Sequence, residues 1–196
     1  MVNDGGPSSG ALGFCSREGR YAATMRAAVL IASVLGALLL GACGDAGPEA
    51  PPVGAIVTAC ADDFCIGYPD GWEVVEQTGE FVSLRHPDAP NDVVATAGHV
   101  NMEGVVSANG KTWPQTTEDV VRSFWAIIDG GGAELATMDP LRDGSIKSFG
   151  TFADGRLWYR LTPVEGRDAI GVEMRGPNST WSTHADVMLD SLVLVP

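Results

Sequence analysis

Positive charge is scarce in this sequence. Twelve lysines and arginines stand against 25 aspartates and glutamates, with no Lys/Arg-rich stretch. Phosphate backbones are held by basic patches, so this balance argues against nucleic acid as a partner. It also gives anionic lipid no electrostatic attraction. Catalytic signatures are missing as well. Three histidines and no G-x-S-x-G elbow leave little from which to build a nucleophilic triad. A phosphate-binding glycine loop precedes a helix, whereas Gly130-Gly131-Gly132 follows a predicted one. The uncharged apolar run from Ala27 to Leu40 has fourteen residues. A membrane-spanning helix needs about 20.

That short run has informative flanks. Arg26 precedes it and Leu40-Gly41-Ala42-Cys43 closes it, in the order of the three regions of a signal peptide. The tetrapeptide resembles the lipobox of bacterial lipoproteins. The resemblance implies that Leu40, Gly41 and Ala42 are read by the signal peptidase and that the Cys43 thiol carries diacylglycerol, anchoring the mature chain to the extracytoplasmic face of a membrane. Residues 25–42 are then the signal peptide. Residues 1–24, which include Cys15, are polar and glycine-rich without apolar periodicity and read as an over-extended N-terminus. Taking away residues 1–42 removes three arginines and two acids, leaving nine basic and 23 acidic residues, a net charge of about −14 over 154 residues. Residues 43–54 comprise the lipidated cysteine and a Gly/Pro-rich flexible tether with a reach of about 30 Å. Residues 55–196 suit one globular domain.

Cys60 and Cys65 flank Ala61-Asp62-Asp63-Phe64 between two apolar runs. In an oxidising extracytoplasmic space, two cysteines at the neck of a hairpin are expected to form a disulfide. The alternative is a metal site with Asp62 and Asp63, although the spacing matches no common zinc motif and no histidine is near. A redox role requires a closer spacing than CxxxxC.

Strand signals recur through the body of the chain. Phe64–Tyr68 ends at Pro69-Asp70-Gly71. Phe81–His86 and Val93–Val100 form a predicted hairpin in which Leu84 faces Ala95 and Val82 faces Ala97. Alanines there leave room for a helix to sit close. Residues 117–129 read as a helix capped by Thr116, with Glu118 and Asp119 in its first turn. Its apolar face is Val120, Val121, Phe124, Ile127 and Ile128, with Trp125 at the border. Ser145–Phe152, Leu157–Thr162 and Ala169–Arg175 read as an antiparallel meander. A helix from Ser182 to Asp190, with Ala185, Met188 and Leu189 inward, leads to a last strand at Leu192–Val195. The order predicts an α+β fold, an antiparallel β-sheet packed between or against two main helices.

Phe64-x-Ile66-x-Tyr68-Pro69-Asp70-Gly71-Trp72 resembles the first strand and "YPxGW" corner of PsbP-like domains, a group that includes photosystem II extrinsic proteins and small bacterial lipoproteins of the LpqN type. Thr116-Thr117-Glu118-Asp119 and Met188-Leu189-Asp190-Ser191-Leu192 fall in that group's order. The resemblance implies a PsbP-like sandwich with a binding or assembly role. It transfers no catalytic residues and no cofactor.

The remaining candidates are weighed by position. His86 and His99 sit at opposite ends of the predicted hairpin, about 20 Å apart at about 3.3 Å per residue, too far to share a metal. His184 lies among polar residues and reads as solvated. The acidic pairs Asp62/Asp63 and Asp139/Asp143 are the only basis for an envelope hydrolase, which needs two carboxylates across a cleft. Their loop setting reads as solvated acids. Trp72 and Trp158 read as core. Trp113 and Trp181, near Pro and Gly, are either contact residues for a ligand or envelope protein or plugs at the edge of the core. The expected function is therefore a non-catalytic, lipid-anchored binding or accessory protein, or a carrier for a small apolar ligand between sheet and helix.

Overall fold

The computed structural model describes residues 47–195; the lipobox positions Leu40, Gly41, Ala42 and Cys43, the expected signal peptide and residues 1–24 lie outside the described residues. Among the described residues, no helix is long and apolar enough to cross a membrane.

Strands β1 (Ile56–Cys60) and β2 (Phe64–Pro69) form the first hairpin. Cys60 lies directly opposite Cys65, and the two are joined as a disulfide. Alternation along β2 turns Phe64, Ile66 and Tyr68 to one side, where they are buried. Seven further strands form a second, antiparallel sheet: β3 (Glu73–Gln77), β4 (Phe81–Arg85), β5 (Val94–Asn101), β6 (Glu134–Pro140), β7 (Ile146–Phe152), β8 (Gly155–Pro163) and β9 (Asp168–Gly176). Their order is β3-β4-β5-β9-β8-β7-β6. The predicted register holds, with Leu84 opposite Ala95 and Val82 opposite Ala97. The three-stranded meander also runs as expected through β7, β8 and β9.

Three α-helices complete the described domain: α1 (Met102–Ala108), α2 (Thr117–Ile127) and α3 (Ser182–Asp190). Thr116 caps α2, its hydroxyl accepting from the Asp119 amide at 3.1 Å. A short 3-10 turn, Ile128–Gly131, replaces the last turn predicted for that helix. Strand β10 (Val193–Leu194) returns to pair with β2.

The central strands of the large sheet are buried on both faces. Along β8, Trp158 belongs to a core shared with β2 and α3, whereas Leu157, Tyr159 and Leu161 belong to a core shared with α1 and α2. Central strands covered on both sides read as continuous apolar runs, and six consecutive residues of β8 are buried.

The α+β sandwich of a sheet between two main helices is not what forms. The described chain is mostly antiparallel sheet, ten strands in two sheets with three short α-helices. The reason is local. Strands β2 and β10 pair apart from the large sheet, so a second sheet shares with α3 the face that Ala95 and Ala97 keep shallow. On the other face, helices of seven and eleven residues are too short to roof seven strands.

Candidate functional site

The incomplete roof leaves a trough. Between α1, α2 and the uncovered part of the large sheet lies a cavity of about 550 Å³ whose wall is mainly apolar, within the range of small-molecule sites. Val105 of α1 and Phe124 of α2 form one side, and Phe81 closes the other. Gly98 and Gly171, paired across β5 and β9, make the floor. A Cβ on Gly98 would come within 2.9 Å of Phe81 Cβ, and one on Gly171 within 2.8 Å of Val100 Cγ2 and 3.1 Å of the Tyr159 hydroxyl. Both glycines are therefore places of close approach that keep the trough open.

Four side chains with polar groups interrupt this apolar wall: Thr96, His99, Tyr159 and Glu173, the last two directly opposite each other on β8 and β9. The Tyr159 ring is 3% exposed and stacks on Phe124 with centroids 4.2 Å apart. Its hydroxyl has no hydrogen-bond partner among the described residues. Burial, and secondarily the neighbouring Glu173 carboxylate, raises the phenol's pKa above its ordinary value, so it remains a donor at neutral pH. Beyond Glu173 on the same strand, Arg175 lies 3.8 Å from that carboxylate and over the Phe152 ring. It lines a neighbouring recess of about 320 Å³ with Val94, Phe152 and Pro177.

The structure distributes the sequence's candidates differently from expectation. Trp181 is 1% exposed and plugs the core. It meets Trp72, His86 and His184 edge-on or tilted, with centroids 5.0–6.2 Å away. Trp113 is half-buried against the other core and does not line the trough. His184, expected to be solvated, is 2% exposed. Its Nδ1 accepts from the Trp72 indole at 3.0 Å, and its Nε2 is 2.8 Å from the Pro51 carbonyl. His86 joins this cluster, where burial chiefly depresses its pKa, the His184 ring adds to that and Asp88 opposes it. His99 lies apart from this cluster, in the wall of the trough, with its Nε2 3.0 Å from Asp63 Oδ1.

Part of the expected tether is docked. The Pro48 carbonyl accepts from Asn178 Nδ2 at 3.1 Å and from Trp181 Nε1 at 2.9 Å. The Ala50 amide donates to Thr180 Oγ1 at 2.9 Å. Residues 48–51 are thus a strap rather than free chain, because Trp181, Asn178 and His184 are buried polar groups that need these partners.

The acidic pairs do not face each other across a cleft. Asp139 belongs to β6, whereas Asp143 accepts from the Ser145 hydroxyl and from Arg160 Nη2 at 2.8 Å. The Ser145 side chain and amide, with a further contribution from Arg160, hold its carboxyl below the ordinary range. Asp62 packs against Gly79. Among the described residues, no group of three or more His, Cys, Asp or Glu side chains is arranged to hold a metal ion. Sequence reasoning missed Tyr159, Glu173, Gly98 and Gly171. Phe124 was legible only as part of an apolar helical stripe.

No protein-family model matches the chain, and no curated protein matches it. A solved structure from Bacteroides thetaiotaomicron is similar at 13% identity with a TM-score of 0.37, over 74% of this chain and 50% of that one. The chain therefore spans about half the length of that neighbour.

Proposed function

We propose that this chain is a non-catalytic binding protein of the cell envelope, held at the extracytoplasmic face of a membrane by diacylglycerol on Cys43, and that it carries a small apolar ligand in the trough. The trough carries this reading. It is a mainly apolar cavity of about 550 Å³ with four polar side chains in its wall, the composition of a site that binds an apolar body and orients one end. The order of charge, apolar run and lipobox-like tetrapeptide at residues 26–43 supports the anchor. An envelope hydrolase receives no support from Asp143, whose carboxylate is occupied by Ser145 and Arg160.

Native mass spectrometry of protein released from membranes without detergent tests the reading. A bound apolar species is expected with wild type and is lost when Val105→Glu places a carboxylate in the wall. Wild type that neither carries such a species nor takes one up when it is offered would refute it.

A further inference from the structure

We infer that the trough selects a neutral amphiphile bearing a hydroxyl group, and that Tyr159 and Glu173 together read that hydroxyl. The inference rests on the trough reading and adds the chemical class of its ligand.

A hydroxyl that has no protein partner and opens into a cavity is free to donate to a ligand there. The Tyr159 hydroxyl lacks a protein partner among the described residues and belongs to the wall of a cavity. Its need is for an acceptor. The Glu173 carboxylate, on the residue directly across the strand pair, lines the same cavity and offers only acceptors. Its need is for a donor. An alcohol meets both at once, its oxygen accepting from Tyr159 while its proton goes to Glu173.

The same pair rejects acids. A carboxylate or phosphate head would satisfy Tyr159 but approach the Glu173 carboxylate with like charge at contact distance, well inside the screening length of salt. Arg175, no nearer than 3.8 Å to the Glu173 carboxylate and over the Phe152 ring, lines the neighbouring recess rather than the trough, and His99 in the trough wall is already engaged by Asp63 at 3.0 Å. The chain as a whole carries a formal charge of −13, which also disfavours anions.

Equilibrium dialysis of the purified full chain against 1-decanol and, separately, decanoate at pH 7.5 tests the assignment. Decanol is expected to bind at least tenfold more tightly than decanoate. Tyr159→Phe keeps the ring on Phe124 and removes only the hydroxyl; it should weaken decanol about fivefold. Glu173→Gln should narrow the gap between the two probes by admitting decanoate. If both probes bind wild type equally, or decanol binds Tyr159→Phe as it binds wild type, the hydroxyl assignment is overturned and the apolar trough stands. If neither probe binds wild type, the trough reading falls with it.

Discussion

The Trp72 indole N–H donates to His184 Nδ1 at 3.0 Å, and this fixes the imidazole tautomer. An indole nitrogen can only donate, so Nδ1 must present its lone pair and the proton resides on Nε2, which donates to the Pro51 carbonyl at 2.8 Å. One side chain thereby ties the β2–β3 corner to α3 and α3 to the strap. A His184→Phe variant keeps ring volume but leaves Trp72 N–H and the Pro51 carbonyl unpaired. It should lose about 2 kcal/mol in urea unfolding, and amide exchange at Ala50 should accelerate. Unchanged exchange there would mean that His184 does not hold the strap.

Stability should also fall on mild acidification. Burial depresses the pKa of His86 below 6.5 in the fold, so between that lowered value and 6.5 the unfolded chain binds more protons than the native one. Stability is complete above about pH 6.5 and declines as pH falls toward the folded value. Asp88 and the His184 ring are the groups that act on His86 electrostatically. Urea midpoints at pH 7.5, 6.5 and 5.5 should decrease in wild type and remain nearly level in His86→Gln.

Breaking the Cys60–Cys65 bond by the double change to serine should cost about 2 kcal/mol, because the enclosed loop is short and its closure entropy modest. Thermal unfolding with and without reductant measures it. Wild type in reductant should match the double variant.

Asp143 should behave as a structural anion. Its folded pKa is depressed, so its contribution is present above the unfolded value of 3.8 and is lost as pH falls through the folded one. Because its side chain is half exposed, Asp143→Asn should cost only about 1 kcal/mol at pH 7. The variant should show a shallower acid limb below pH 4 in urea titrations.

The proposed anchor predicts that Cys43→Ser moves the protein from the membrane fraction to the soluble fraction. Unchanged fractionation on immunoblots would remove the anchor from the proposal.

Much of the fold was legible where a pattern was strong and local. Thr116 and the acids after it marked the start of α2, the Ser182–Asp190 helix matched its observed bounds, and alternating apolar residues set the β4–β5 register. Weak signals failed. Helix α1 has only seven residues and carries Gly104 and two valines, poor formers of an isolated helix. Strand β6 contains Asp139 and Pro140 and shifts register between Leu135 and Thr137, which spoils its alternation. Trp125, at the border of the apolar stripe, is 3% exposed in the core, where its indole donates to Ser148 at 2.9 Å. The trough was invisible for another reason. Its floor is two glycines on distant strands, and only the β5–β9 pairing brings Gly98 beside Gly171.

The strap changes the distance over which the protein works. Gly47 lies against Pro177, where a Cβ on it would meet that ring at 2.5 Å, and Pro177 also lines the recess next to the trough. With Cys43 acylated as proposed, the four residue steps from Cys43 to Gly47 reach at most about 14 Å at about 3.5 Å each, half the span of a free tether. The edge of the domain that carries Pro177 would then stay near the bilayer surface, so the anchored protein would work against the membrane itself rather than sweep the space above it.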